Sequence, residues 1–191
     1  MSERAPRIQT RRLILRRFEP GDIDAFLAYR QDTEVERYQG WGAYSLDQAM
    51  AFVRSQAVAA PGVPGGWFQF AAELQETATL VGDVGLHTLD DPRFAEIGYT
   101  LARPYHRRGL ATEMVSAVLD FAFETLGVHR VTALIDTRNA PSIRLAERLG
   151  LRREGHLRAA VPDGDGWADE YLYALLNDEW RRARSPSPPV A

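Results

Sequence analysis

Apolar residues follow a strand-like spacing in some stretches of the chain and a helical spacing in others, and this predicts the order of its elements. Leu13 and Leu15 lie on one face of a predicted strand over 12–18. Ile23 and Leu27 mark the apolar stripe of a helix that follows it. The same patterns predict a helix from Ser45, a loop over 59–66 and strands over 67–74, 80–89 and 95–102.

Beyond Gly109 the spacing of apolar residues lengthens to about 3.6, which predicts a long amphipathic helix. Leu110, Met114 and Phe121 fall on one side of this helix, and Gly127 ends it. The remaining predicted elements are a strand over 130–136, a helix over 139–149 and strands over 151–158 and 167–176.

This order of elements predicts the fold class α/β (α+β), built on one mixed sheet. The passage from the strand at 95–102 through the long helix to the strand at 130–136 predicts a parallel crossover. We expect one domain over 10–180. The segments 1–9 and 185–191 are expected to be flexible termini, the second because it is rich in proline and serine.

Composition excludes several classes of function. The chain has 191 residues and no cysteine, which rules out disulfides, thiolate catalysis and cysteine metal sites. A net charge of -3 disfavours nucleic-acid binding, and no two histidines have the helical spacing of a zinc motif. There is no apolar run long enough to cross a bilayer, and the stretch MSERAPRIQ lacks the apolar core of a signal peptide, so we do not expect export. We therefore expect a cytoplasmic protein with no metal, nucleic-acid or membrane partner.

Candidate chemistry concentrates in the segment 96–115, which runs from a strand through a basic loop into the long helix. Gly109 and Ala111 keep the first turn of that helix thin, and Arg107 and Arg108 add positive charge. Unpaired amides at a helix start attract anions, so this segment can cradle a pyrophosphate. Taken alone, the same residues favour an ordinary strand–helix connection with two solvated arginines.

This segment resembles the signature R/Q-x-x-G-x-G/A of the GNAT superfamily of acetyltransferases. The chain reads HRRGLA at 106–111, most similar to the RimJ/RimL-like branch of ribosomal-protein N-terminal acetyltransferases. A second motif at 139–155, NAPSIRLAERLGLRREG, and the end segments TRRLILRR and DEYLYALL also resemble the family, so the likeness covers 10–180. It implies a mostly antiparallel twisted sheet of about seven strands with four or so helices and a splayed parallel pair at its centre.

The chain departs from the family pattern at several positions, of which three concern the site. His106 stands where the signature has Arg or Gln, and Arg107 where Gly is frequent. Ala146 occupies the place where many members carry a tyrosine that protonates the leaving thiolate. Tyr171 and Tyr173, on the last predicted strand, are alternative acids.

The resemblance implies that acetyl-CoA binds with its pantetheine arm between the strands at 95–102 and 130–136. Backbone groups of Tyr99, Leu101 and Arg103 would pair with this arm like an added strand edge. The residues implied in cofactor binding are Tyr99, Thr100, Leu101, Arg103, His106, Arg107, Arg108, Gly109, Leu110, Ala111, Thr112, Asn139 and Ser142.

Two side chains are candidates for the chemistry itself. Glu96 can accept the proton of the amine, or be an ordinary surface carboxylate. It precedes Gly98, where we expect either a β-bulge that opens the strands or a simple weak point. Ser142 matches the serine of the second motif and can assist the thiolate, or serve only in the first turn of its helix. Asn139 can cap that helix, bind pantetheine, or do both.

The acceptor site is expected in the less regular parts of the chain. Tyr38 and Trp41 belong to an aromatic segment at 38–44 that suits either a lid over an amine or a staple of the core. His87 and Tyr171 are further candidates for substrate binding. The stretch PDGDG at 162–166 is interpreted as a hairpin turn because it lacks the remaining ligands of a calcium loop.

The resemblance implies an N-acetyltransferase that moves an acetyl group from acetyl-CoA to a primary amine by direct attack in a ternary complex. The acceptor is either a protein N-terminal α-amine or a small-molecule amine. The alternative is a catalytically weak acyl-CoA-binding module acting as a sensor or scaffold, which His106 and Ala146 keep open. Dimers are frequent among similar proteins, so a homodimer is a further expectation of the resemblance.

Overall fold

The computed structural model describes residues 6–39 and 41–184, which form an eight-stranded sheet and six α-helices. The strands are β1 (Ile8–Gln9), β2 (Leu13–Arg16), β3 (Trp67–Leu74), β4 (Thr79–Thr88), β5 (Phe94–Leu101), β6 (Arg130–Asp136), β7 (Arg152–Asp163) and β8 (Gly166–Leu176). The helices are α1 (Ile23–Arg30), α2 (Thr33–Glu36), α3 (Leu46–Val58), α4 (Leu110–Asp120), α5 (Ala140–Arg148) and α6 (Asn177–Arg184). The helix α4 continues into a π-helical turn at Phe121–Thr125.

The strands follow the order β1-β2-β3-β4-β5-β6-β8-β7, in which β5 and β6 run parallel and the other neighbours antiparallel. The predicted mixed, mostly antiparallel sheet with a central parallel pair is therefore confirmed. The sequence did not predict β1, α2 and α6, which have 2, 4 and 8 residues. Such short elements give too few positions for apolar spacing to be recognised.

The ordered part of the chain starts earlier in the structure than the sequence predicted. We predicted that ordered structure begins at residue 10, whereas Ile8 and Gln9 pair with Leu15 and Ile14 in β1–β2. The other residues of the predicted flexible termini, 1–5 and 185–191, lie outside the described part of the chain.

The parallel pair at the centre of the sheet separates soon after it begins. Strands β5 and β6 are paired only from Phe94 to Glu96, opposite Arg130 to Thr132. On its other side β5 stays paired with β4 as far as Leu101. The splay therefore opens between β5 and β6, directly after Glu96.

The β-bulge considered at Gly98 is not present. Gly98 pairs with Gly85 in an unbroken antiparallel register between β4 and β5. The two strands of the parallel pair diverge because their ladder stops, and no extra residue in β5 is needed to open the gap. Gly98 itself has open space where a Cβ would stand.

Two separate clusters of buried residues lie on opposite faces of the sheet. The larger one packs α4 and α5 against the sheet through residues such as Met114 and Leu145. The smaller one packs α1 and α3 against the first strands through Phe26 and Val53. Because successive side chains of a strand point to opposite faces, β3 presents Phe70 to the larger cluster and Ala71 to the smaller one.

The predicted ends of the central helices are confirmed. Gly127 and Gly150, which follow α4 and α5, have φ angles of 69° and 89°, a left-handed conformation that glycine adopts without strain. The predicted hairpin at 162–166 is also confirmed, because Asp163 pairs with Gly166 where β7 turns into β8. Strand β7 is longer than predicted, and its pairing with β8 is interrupted between Leu157 and Val161.

Candidate active site

The loop from β5 into α4 has an unusual backbone. Arg107 and Gly109 have φ angles of 60° and 76°, so two left-handed residues flank Arg108. Alternation of left- and right-handed residues turns successive amide groups towards one point, an arrangement that binds anions. Gly109 is also the N-cap of α4 and has no side chain to satisfy the first amides of the helix.

Several side chains of this loop are already engaged with the protein. The His106 ring nitrogen Nε2 lies 2.7 Å from the carbonyl oxygen of Leu101. Arg103 forms an ion pair with Asp32 at 3.0 Å, and Leu110 is buried under the helix start. What the loop offers to a ligand is therefore mainly its backbone amides, together with the exposed Arg107 and Arg108.

The loop fits the diphosphate of a CoA thioester. The helix dipole and the converging amides both favour a group with negative charge. A guanidinium nitrogen of Arg12 lies 3.4 Å from the place of an added Cβ at Gly109, so the approach to the backbone is bounded by a cation. These features lie at the end of β5, beside the splayed gap that a pantetheine arm would enter.

The start of α5 lies against the other side of the gap. The Asn139 side-chain oxygen accepts a hydrogen bond from the Ser142 amide at 3.2 Å, so the predicted cap is confirmed. The Tyr99 hydroxyl donates to the Ser142 carbonyl oxygen at 3.2 Å. Burial raises the pKa of Tyr99 to about 12, against the hydrogen bond with Ser142, so the phenol stays protonated at neutral pH.

The position at which many family members carry a tyrosine is a buried alanine in this chain. Ala146 is 2% exposed and belongs to the core beneath α5. Of the two alternative acids, Tyr173 is buried and its hydroxyl donates to Glu147 at 3.1 Å. Tyr171 lines an open cavity of about 420 Å³ with Arg153 and His156.

The opposite face of β5 is acidic. Glu96 alternates with the core residue Ile97 and therefore points away from α4 and α5. Its cross-strand partner on β4 is His87, whose ring stacks on Trp67 with centroids 4.8 Å apart. Burial raises the pKa of Glu96 above its usual value, and the nearby His87 opposes this effect. A carboxylate with a raised pKa is a better base near neutral pH.

A second carboxylate lies on the same face. Glu170 of β8 pairs with Asp136 of β6, across the gap from Glu96. Burial raises the pKa of Glu170, and the negative charges of Glu96 and Asp136 raise it further. Leu134, on the same face of β6, is 40% exposed, so this part of the sheet is accessible. The sequence did not predict a role for Glu170, because only the pairing of β6 with β8 places it here.

Trp41, from the aromatic segment of the sequence, packs against buried charge. The Trp41 ring lies over the guanidinium of Arg30 at 3.8 Å, and Arg30 pairs with the fully buried Asp83 at 3.1 Å. Gln39 brings the segment to β5, because its side-chain nitrogen lies 3.5 Å from the Tyr99 carbonyl oxygen. Tyr38 is half-buried beside Arg37. The contacts of Trp41 are those of a core staple, while the position of Gln39 suits a lid.

The structure thus groups the predicted residues on two faces of the splay. Glu96 and His87 lie together on the acidic face. Ser142, Asn139 and the side chain of Tyr99 lie on the face with α5. Tyr171 lies on the α5 side too, because its partner on β6 is the core residue Ile135, and it is not grouped with Glu96.

Two further findings concern the described residues as a whole. Within residues 6–39 and 41–184, no three histidine or acidic side chains are placed to hold a metal ion together. In the same part of the chain, every helix is too short or too polar to cross a bilayer.

Comparison with known proteins agrees with this geometry. Residues 12–152 match the family described as Acetyltransferase (GNAT) domain. The chain is 32% identical to YnaD of Bacillus subtilis, an uncharacterized N-acetyltransferase, over 91% of this chain and 98% of that protein. A GNAT-family acetyltransferase from Bacillus anthracis superposes with a TM-score of 0.83 at 32% identity, covering 91% of this chain and all of the other.

A further solved structure comes from Vibrio cholerae and is provisionally assigned as a ribosomal-protein-serine acetyltransferase. It superposes with a TM-score of 0.76 at 25% identity, over 90% of this chain and 97% of that chain. The match to the family covers most of the chain, and the relatives are matched over nearly their whole length. The chain therefore belongs to the GNAT family of acetyltransferases.

Proposed function

We propose that this GNAT protein transfers an acetyl group from acetyl-CoA to a primary amine by direct attack in a ternary complex. The observation that carries the proposal is the uncapped start of α4, with left-handed Arg107 and Gly109, beside the splayed pair of strands. A GNAT domain with such a loop has what a CoA thioester needs: an anion cradle and an open strand edge.

Residues on the α4 and α5 side would hold the donor. The amides of 108–112 and the charges of Arg107 and Arg108 would bind the diphosphate, and the backbone of β5 beyond Glu96 would pair with the pantetheine arm. Acetyl-CoA supplies the activated acetyl group as a thioester. Ser142 would lie near the sulfur, where its hydroxyl can donate a hydrogen bond to the departing thiolate. The buried Ala146 offers no proton, so Ser142 or solvent serves in its place.

Residues on the acidic face would receive the amine. An amine attacks only when it is neutral, so a group must take its proton. Glu96 suits this role because it is half-buried, has a raised pKa and borders the gap. Glu170 adds negative charge across the gap, which favours an acceptor that arrives as a cation. We infer a protein N-terminal amine or a small cationic amine; the RimJ/RimL-like motifs and the Vibrio cholerae structure support the first.

The proposal is tested by titrating the protein with coenzyme A and then screening acceptors by thiol release and product mass spectrometry. The panel contains peptides with free and blocked N-termini, polyamines, aminoglycosides and amino acids. We expect CoA binding and an acetylated primary amine. Absence of CoA binding would refute the proposal. Tight binding without any acetylated product would instead indicate the acyl-CoA-binding module.

The role of Glu96 is tested with Glu96→Gln. We expect kcat to fall by about a hundredfold, the effect of losing a general base, while the Kd for CoA stays unchanged. A raised pKa means that Glu96 is protonated and inactive as a base at low pH, so kcat of the wild type falls as pH decreases. In Glu96→Gln, this decrease of kcat at low pH should be absent. Glu76→Gln, an exposed change in the β3–β4 turn, is the control, and equal kcat in both variants would remove Glu96 from the mechanism.

A further inference from the structure

The turn between β1 and β2 is bonded to the first turn of α4 through one carboxylate. Oε1 of Glu113 accepts hydrogen bonds from the Thr10 hydroxyl at 2.6 Å and from the Arg12 amide at 2.7 Å. Oε2 accepts a third from Arg12 Nε, also at 2.7 Å. Three donors within a span of three residues therefore meet one glutamate about 100 positions away in the sequence.

The same arginine also contacts the anion-binding loop. Nη1 of Arg12 donates to the carbonyl oxygen of Arg108 at 2.8 Å. Its second terminal nitrogen is the group that bounds the space beside Gly109. Arg12 thus bridges the side chain of Glu113 and the backbone of the loop between Arg107 and Gly109.

This bridge has two physical consequences for a loop that binds diphosphate. By binding the Arg108 carbonyl oxygen, Arg12 turns that carbonyl group towards itself. The neighbouring amides of the loop then point away from Arg12. It also neutralises Glu113, a negative charge in the first turn of the helix that would otherwise repel an anion. Burial acts to raise the pKa of Glu113, but the hydrogen bonds from Thr10 and Arg12 outweigh it and the pKa is lowered, so the carboxylate is charged at neutral pH.

We propose that Thr10, Arg12 and Glu113 are positioning residues that set the 107–109 loop in the conformation that receives the diphosphate of CoA. The inference rests on the proposed function, because it assigns the N-terminal turn a part in donor binding. The left-handed backbone of Arg107 explains why the loop needs support from the β1–β2 turn. A non-glycine residue in that conformation is strained, and the bridge supplies bonds that hold the loop in it.

The test compares the Kd for CoA, measured by titration calorimetry, in the wild type, Arg12→Met and Glu113→Gln. We expect CoA to bind about tenfold more weakly in Arg12→Met, the scale of one lost charge-assisted contact. Glu113→Gln should weaken binding less, because a glutamine retains one acceptor oxygen for Thr10 and Arg12. Once an acceptor has been identified, KM for acetyl-CoA should be higher in both variants than in the wild type. The value of kcat at saturation should stay within about twofold of the wild type, because these residues do not touch the reacting atoms.

The matched control is Arg130→Met. Arg130 donates two hydrogen bonds to Glu154 at the far end of β6, so the substitution also removes an arginine–glutamate pair. We expect a similar change in melting temperature in both arginine variants but a loss of CoA affinity only in Arg12→Met. Wild-type affinity in both Arg12→Met and Glu113→Gln, or equal losses in Arg12→Met and Arg130→Met, would overturn the inference. A wild type that does not bind CoA would instead refute the proposed function.

Discussion

The two helices that follow the central parallel strands begin in opposite ways. Helix α4 starts at Gly109, in a left-handed conformation and with no side chain to bond its first amides. Helix α5 starts at Asn139, whose side chain accepts a hydrogen bond from the Ser142 amide. A third start, at Ser45 of α3, has a full capping box with Gln48.

The difference separates helix starts whose first amides are bonded by a side chain of the protein from one that has no side-chain cap. All helix starts carry unpaired amides and partial positive charge. Where a side-chain cap is present, the protein gains stability, typically about 1 kcal/mol. At Gly109 this gain is forgone, and the amides remain available to an anion.

The largest effect is expected when α4 is given a side-chain cap, which removes the difference between its start and that of α5. In Gly109→Asp the carboxylate can bond the first amides and adds a negative charge where the diphosphate would lie. We expect the Kd for CoA to rise about a hundredfold, from repulsion of several kcal/mol at short range. Calorimetric titration measures it, and thermal unfolding reports whether the fold is retained.

The control for this change is Gly164→Asp. Gly164 also has a left-handed φ, 57°, and open space for a side chain, but it lies in the β7–β8 turn. The same charge and backbone demand are introduced there, and CoA affinity should stay unchanged. Equal losses in the two variants would mean that the start of α4 holds no diphosphate.

The opposite change removes the cap of α5. Asn139→Ala should lower the free energy of unfolding by about 1 kcal/mol, because the Ser142 amide loses its acceptor. Ser45→Ala at α3 should cost a similar amount, measured by urea denaturation of both variants. We expect CoA to bind Asn139→Ala far better than Gly109→Asp. Equally weak binding in these two variants would show that both helix starts bind the cofactor.

The smallest effect is expected for Arg107→Gly, which relieves backbone strain but removes a charge. A residue other than glycine in the left-handed conformation destabilises the fold by about 1–2 kcal/mol, so glycine relieves this strain. Glycine also makes the unfolded chain more flexible, which offsets about 0.5–1 kcal/mol of the stabilisation. We therefore expect slightly higher stability, and CoA affinity reduced about threefold at low salt and less at high salt.

Ala78→Gly provides the comparison for this last variant. Ala78 has a φ of 51° in an exposed turn, so the same strain is relieved without loss of charge. Stability should rise in both variants, and CoA affinity should fall only in Arg107→Gly. An unchanged affinity in Arg107→Gly would show that the Arg107 side chain does not bind the diphosphate, and would leave the backbone amides and Arg108 as the cradle.

The elements that the sequence revealed are those with a local signature. The helical spacing after Gly109, the cap at Asn139 and the glycines that end α4 and α5 each depend on neighbouring residues, and each is confirmed. The family resemblance added the splayed parallel pair at the centre of the sheet. The roles of Glu96, Ser142 and the loop residues stay predictions.

What the sequence could not reveal depends on pairings between distant residues. Glu170 faces Glu96 only because β8 inserts between β6 and β7, and no local pattern predicts that order. Arg12 and Glu113 meet across the fold, although each is unremarkable in its own segment. Of the two interpretations of Gly98, the bulge was wrong: a glycine in a strand has several causes, and here the opening comes from where the parallel ladder stops.

The separation of the two buried clusters has a consequence for how this architecture diversifies. The cluster under α1 and α3 shares no buried residue with the cluster under α4 and α5. Substitutions that reshape the first cluster can thus accumulate without repacking the second. Under the proposed function, such substitutions would leave unchanged the packing of α4 and α5, the helices that would hold the donor.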